Sequence, residues 1–216
     1  MDDDYSVSPQ AYLARVKEQL EQGTPQSLFY AAFELRCFVE SRQSLYLEAQ
    51  GEYARSIPKA HKIGAQGKAL EAIFESNRIQ HITWSAQQKV IFDAYYVPLH
   101  PDLRKYAERL GDLLHARNAW IAPDNEWWHD TYSGLCDAYE LAWQCCQGSL
   151  LSPMFLIDGK TIGRVSLSVS GSNHRELLAA LKEGEEGILG VDYLDRVPES
   201  WKSDLEPVTA FQNAGH

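Results

Sequence analysis

The sequence predicts a mainly α protein, an antiparallel helical bundle that carries a small C-terminal β-hairpin plus helix. Three observations predict it. Large apolar residues recur at helical spacing through most of the chain as far as Cys146. Ser-Pro and Thr-Pro starts and glycine stops punctuate those runs. Beyond residue 150 the apolar period shortens from 3.6 to 2 around an Asp-Gly dipeptide. That change divides the chain into a helical domain, 1–150, and a hairpin-helix appendage, 151–216, with a loose tail from about Leu205.

Ser8 and Pro9 form a cap followed by a first-turn proline; Leu13, Val16 and Leu20 follow at helical spacing until Gly23 stops the element. Thr24 and Pro25 start the next helix at once. From Leu28 to about Leu47 it is apolar on nearly every side, through Phe29, Phe33, Leu35, Phe38 and Val39, as suits the middle of a bundle. Gly51, Pro58 and Gly64 mark a loop, and a modest helix follows from about Lys68 to Ser76. Ser85 with Gln88 has the spacing of a capping box, which predicts a helix through Val90, Ile91 and Tyr95 that ends at Pro98. Pro101 opens the clearest amphipathic stripe of the chain: Leu103, Tyr106, Ala107, Leu110, Leu113 and Leu114. After Pro123-Asp124-Asn125 a last long helix runs from about Glu126 to Cys146. Residues 154–169 read as a hairpin on Asp158-Gly159, and about Asn173 to Lys182 as a short helix. The remainder reads as a strand and tail.

Composition excludes several classes. The 216 residues are 44% hydrophobic, enough for a core without disulfides or structural metal. The net charge of −10 disfavours nucleic-acid binding through overall charge, so any such contact needs a local basic patch. An acidic start, Met1-Asp2-Asp3-Asp4, and the lack of a long apolar run place the protein in the cytoplasm, away from membranes. Cys37, Cys136, Cys145 and Cys146 show no paired spacing; in that compartment they are thiols that pack in the core. No metal ligand set is expected: His129 and Cys136 share a helix face, but Cys145 falls opposite. Gly64-Ala65-Gln66-Gly67-Lys68 lacks the glycine spacing, the hydroxyl residue and the preceding strand of a phosphate loop, and no Gly-x-Ser-x-Gly occurs, so no cofactor is expected.

Two features carry more. The first is a basic stretch, with Arg55, Lys59, Lys62, Lys68, Arg78 and Lys89 against few acids, and Trp84 among them. It is either a set of solvated cations or a surface for an anion such as RNA backbone, a nucleotide or an acidic partner, with Trp84 available for stacking. The second is charge inside the most apolar helix. Glu34, Arg36 and Glu40 lie there, and the four-residue spacing of Arg36 and Glu40 lets their side chains meet. They read as a buried polar network that fixes helix packing.

A charged central helix, Phe33-Glu34-Leu35-Arg36 through Glu40, and a later segment, Arg109-Leu110-Gly111-Asp112-Leu113-Leu114-His115-Ala116-Arg117-Asn118, resemble the HEPN superfamily of prokaryotic defence and toxin proteins. Many of its members are metal-independent RNA endonucleases whose arginine, adjacent polar residue and nearby histidine pair across a homodimer. Arg109 and His115 match the spacing, with Leu110 where the family has a polar residue; Arg117-Asn118 has the dipeptide, but His129 is farther along. Two readings follow. One is a non-catalytic helical interaction or regulatory module, a defence or toxin-antitoxin component that meets a protein partner or a second copy. The other, implied by the resemblance, is an endonuclease in which His115 acts as general base toward a ribose 2′-hydroxyl and Arg109 steadies the phosphate.

Overall fold

A computed structural model describes residues 6–50, 59, 61–73, 78–86, 89–115, 121–122, 125–153, 156–157, 160–161 and 188–208. Among them the chain is mainly helical with a small antiparallel sheet, an α+β arrangement. It divides into two compact units. One comprises residues 1–77, 99–146 and 199–216; the other comprises 78–98 and 147–198, so the chain passes between them more than once.

The helical unit opens with α1 (Pro9–Gln22) and α2 (Pro25–Glu48). The Ser8 hydroxyl accepts from the Ala11 N–H at 3.2 Å, and Gly23 ends α1 in the left-handed conformation at φ 59°, where glycine is favoured. Thr24 and Ser27 then cap α2 reciprocally, each hydroxyl accepting from the other's N–H. Two residues of loop suffice, and α1 lies antiparallel to α2, with Arg15 against Glu34 and Val7 against Ser41. Leu13, Val16 and Leu20 of α1, and Leu28, Leu35, Phe38 and Val39 of α2, are buried.

α3 (Ile63–Ile73) starts five residues before the expected Lys68, because Gly64 and Gly67 are helical rather than loop. They are the points where α4 (Pro101–Leu114) crosses: a Cβ at Gly64 would meet the Glu108 carboxylate, and one at Gly67 the Arg104 guanidinium. Two glycines three apart make a shallow side that two long side chains four apart can cover. α4 itself has Pro101 in its first turn and buries Leu103, Ala107 and Leu110, the expected stripe. α5 (Trp127–Gln147) begins where Asn125 Oδ1 accepts from the Trp127 N–H at 2.9 Å. It buries Tyr132, Leu135, Ala138, Tyr139, Ala142 and Cys145.

The other unit corrects the sequence reading. Residues 79–86 and 89–96 are not helical: β1 (Ile79–Ala86) and β2 (Lys89–Tyr96) form an antiparallel pair, and β5 (Ile188–Leu194) adds to the far side of β1. Ser85 therefore stands within β1, paired with Val90 and Ile188, not at a helix start, and Gln88 lies outside the described residues. The reason is composition. Ile79, Ile82, Thr83, Trp84, Val90, Ile91, Phe92, Tyr95 and Tyr96 are β-branched or aromatic and prefer a pleated, half-buried surface, and four residues of capping pattern do not outweigh them. The burial has period 2: Gln80 and Ile82 on β1 and Ala94 and Tyr96 on β2 are buried, and the register pairs Gln80 with Tyr96 and Ile82 with Ala94. A bulge between Trp84 and Ser85 shifts the pairing. The sheet thus draws two of its three strands from the middle of the chain rather than from a C-terminal appendage.

Where the sequence predicts a hairpin at 154–169, β3 (Leu156–Ile157) pairs antiparallel with β4 (Lys160–Thr161), and Asp158 and Gly159 between them lie outside the described residues. The rest of 154–169, and the helix expected at 173–182, lie outside the described residues.

Candidate functional site

Glu34, Arg36 and Glu40 of α2 fall into two separate pairs rather than one buried network, with Arg36 and Glu40 only half-buried. Arg15 Nε donates to Glu34 Oε2 at 2.9 Å, which ties α1 to α2. Arg36 Nε donates to Glu40 Oε1 at 3.0 Å within α2, and the Arg36 guanidinium lies beside Gly111 of α4. At 100° per residue, Tyr30, Phe33, Cys37 and Ser41 fall within a sector of roughly 80°, with Glu34 on the α1 side of it and Arg36 and Glu40 on the α4 side. Tyr30 is 63% exposed and Phe33 48%. The stripe ends at Val7, itself 63% exposed, whose carbonyl accepts from the Ser41 hydroxyl at 3.3 Å. Burial and then the Glu40 and Glu34 carboxylates push the Cys37 thiol in this stripe up to about 11.

The most deeply buried charge is one that the sequence reading passed over. Arg42 is 3% exposed. Its Nε donates to the Tyr46 hydroxyl and its Nη2 to the Cys145 carbonyl, both at 3.0 Å, and the guanidinium lies 4.7 Å from the Tyr46 ring centre. The Tyr46 hydroxyl and the Cys145 thiol are 3.1 Å apart. Burial works against the charge, but Tyr46 and the cysteines at the end of α5 more than offset it, and Arg42 stays above the ordinary arginine range. The sequence signal was available: Arg42 and Tyr46 stand four apart in a helix that is apolar on nearly every side.

The basic stretch divides between the two units. Lys59, Lys62 and Lys68 are exposed in the helical unit. Arg78, Trp84 and Lys89 belong to the sheet unit, where Arg78 pairs with Asp195 at 3.3 Å and lies 5.2 Å from the Tyr193 ring centre. Trp84 is half-buried, in register with Phe92 and Leu189 on the same side of the sheet as Ile82. Arg55 lies outside the described residues, as does the Lys89 side chain. On the other side of the sheet His81 stacks on Tyr95, ring centres 4.3 Å apart, with Nε2 3.6 Å from an Asp93 oxygen.

Arg109 and His115 are both exposed. Arg109 sits 5.7 Å from the Tyr106 ring centre. His115 caps α4 in an extended conformation, its N–H donating to the Gly111 carbonyl at 3.2 Å. The helix is continuous to Leu114, so six steps carry the two side-chain directions about 120° apart. Arg117 and Asn118 lie outside the described residues. Among the described residues no three histidine, cysteine or carboxylate groups come together to hold a metal ion, and no helix is long and apolar enough to cross a membrane.

No family model, curated protein or solved structure matches this chain.

Proposed function

We propose that this chain is a non-catalytic helical interaction module that pairs through α2 with a second copy of itself. The observation that carries the reading is the exposed pair Tyr30 and Phe33, continued by half-buried Cys37 and bordered on both sides by ion pairs. Protein interfaces have this anatomy, an aromatic centre that excludes water and a polar rim. The rim charges are already neutralised in pairs, Arg15 with Glu34 and Arg36 with Glu40. Such a rim asks for no excess charge on the partner, and an identical surface supplies the match in an isologous dimer. From Tyr30 to Ser41 the stripe runs roughly 17 Å, about three helical turns. The resemblance to HEPN proteins, which act as homodimers, fits the same reading and suggests a defence or toxin-antitoxin setting. Sedimentation velocity over a wide concentration range tests it: the wild type is expected to dimerise and Phe33→Glu to remain monomeric with unchanged helicity. A wild type that stays monomeric throughout would overturn it.

The second reading is the metal-independent endonuclease, with Arg109 and His115 in the roles given above. Their shared exposure, Arg109 within α4 and His115 at its C-cap, favours it, since neither side chain is consumed by the core. Because their directions diverge within one chain, the site would be completed across the dimer. RNA cleavage in the presence of EDTA, lost in His115→Ala, is its test.

A further inference from the structure

The segment 199–208 contains no helix or strand, yet the helical unit holds it along its length. Lys17 Nζ stands 3.1 Å from an Asp204 oxygen. The Ser203 N–H donates to Glu140 Oε2 at 3.3 Å, the Glu206 N–H to Glu21 Oε1 at 3.5 Å, and the Val208 N–H to the Tyr132 hydroxyl at 2.8 Å. The side chain of Val208 closes on Gly23, where an added Cβ would stand 2.6 Å from Val208 Cγ2. Partners rise along α1 from Lys17 to Gly23 and fall along α5 from Glu140 to Tyr132, so the segment runs parallel to α1 and antiparallel to α5. Exposure alternates: Trp201, Ser203 and Leu205 are half-buried, while Lys202, Asp204 and Glu206 are exposed.

This is how an extended peptide is recognised. Main-chain N–H groups are met by fixed acceptors, and alternate side chains set the selectivity. Three of the four hydrogen-bonded or ionic contacts use the main chain and would accept many sequences. Selectivity resides at two points, an acid opposite Lys17 and a branched aliphatic side chain four residues later at the Gly23 notch. The notch exists because the left-handed C-cap of α1 favours glycine.

We propose that the α1–α5 surface is a binding site for an extended acidic peptide segment, filled in this chain by its own residues 201–208. The chain's own segment wins at ordinary concentrations because its tether gives it a high effective concentration. A partner segment with an acid and, four residues on, a valine or isoleucine takes the site when the tail is weakened.

The test uses the full chain with Val208→Asp and a fluorescent peptide of residues 199–208, followed by anisotropy. The variant should bind the peptide at least ~10-fold more tightly than the wild type does, because the tethered competitor has been disabled. A second arm uses the full chain with Lys17→Asp, which should prefer a peptide carrying Asp204→Lys over the natural peptide, again at least ~5-fold, by charge complementarity. If Val208→Asp loses its helical circular dichroism, the Lys17→Asp arm decides alone. Equal binding of the natural peptide by the wild type and a folded Val208→Asp, or no preference for the charge-swapped peptide, would overturn the proposal.

Discussion

The hydroxyl end of Tyr106 of α4 closes on Gly134 of α5: a Cβ on that glycine would stand 2.8 Å from the phenol oxygen and 3.2 Å and 3.3 Å from two ring carbons. A mid-helix glycine ordinarily costs about 1 kcal/mol relative to alanine, so its presence here needs a reason, and the ring is that reason. Gly134→Ala is expected to destabilise by about 1–3 kcal/mol, as overpacking does. Gly64→Ala should do the opposite and add up to about 1 kcal/mol, because only the carboxylate end of exposed Glu108 must move aside. Urea melts of the two variants decide it: a stabilising Gly134→Ala would show that the α4–α5 approach is not as close as described, and a destabilising Gly64→Ala that Glu108 cannot move aside.

The two kinds of charge in α2 should behave differently. Arg36 and Glu40 keep 25% and 19% of their side-chain surface, and an i,i+4 pair of that exposure is worth about 0.5 kcal/mol. Arg42 has no solvent to fall back on. Tyr46→Phe removes one acceptor from a buried guanidinium and should cost about 2 kcal/mol, in the range for hydrogen bonds to charged groups. Arg36→Met should cost less than about 1 kcal/mol. Denaturant midpoints compared at a common slope test the contrast, and equal losses would contradict it.

How much of this was legible depends on whether the deciding contact is local. The Ser8-Pro9 start, the Gly23 stop and the Thr24-Pro25 restart are local, and α1 begins and ends and α2 begins there. The β1–β2 pair is less legible: the Ser85-Gln88 spacing is a local helix signal, and the density of β-branched and aromatic residues around it, which decides for strand, acts only through the sheet they pack in. Glu34 pairs with Arg15, 19 residues away on another helix, and spacing along α2 says nothing of that partner. Phe33 reads as core for a related reason: in a helix apolar nearly all round, periodicity does not say which side faces water. The segment from about Leu205 looks like loose tail by composition, since its binding at Glu206 and Val208 rests on main-chain N–H groups, which every sequence carries.

Burial sets the alkaline limit of the fold. It pushes the Cys146 thiol up to about 12 and Cys136 upward, alongside Cys37 at about 11, and it raises the phenols of Tyr106, Tyr132 and Tyr139 to about 12. For an acid whose folded pKa is raised, the folded state holds the proton longer than the unfolded state. The stabilisation is therefore complete below the unfolded values, near 9 for thiols and 10 for phenols, and is lost as pH rises toward 12. Melting temperature should be flat up to about pH 9 and then fall. Phenolate absorbance should show a group of tyrosines that ionise only with unfolding. At pH 8 the native thiols should react slowly with an aromatic disulfide reagent and rapidly in urea; fast native reaction of Cys37, Cys136 and Cys146 would contradict the burial.

The two functional readings meet in one experiment on mixed dimers. Arg109 and His115 diverge by about 120° on α4, so a nuclease site that uses both must take Arg109 from one copy and His115 from the other. Arg109→Ala and His115→Ala should then each be inactive on RNA in EDTA, while an equilibrated equal mixture recovers activity. Half of the dimers are heterodimers, and each holds one intact site of two, which gives roughly a quarter of the wild-type rate. Adding Phe33→Glu to both variants should abolish that recovery if α2 makes the dimer. Recovery that survives Phe33→Glu would place the dimer contact elsewhere. A wild type without EDTA-resistant cleavage, with dimerisation still lost in Phe33→Glu, would leave α2 pairing as the function and Arg109 and His115 as surface residues.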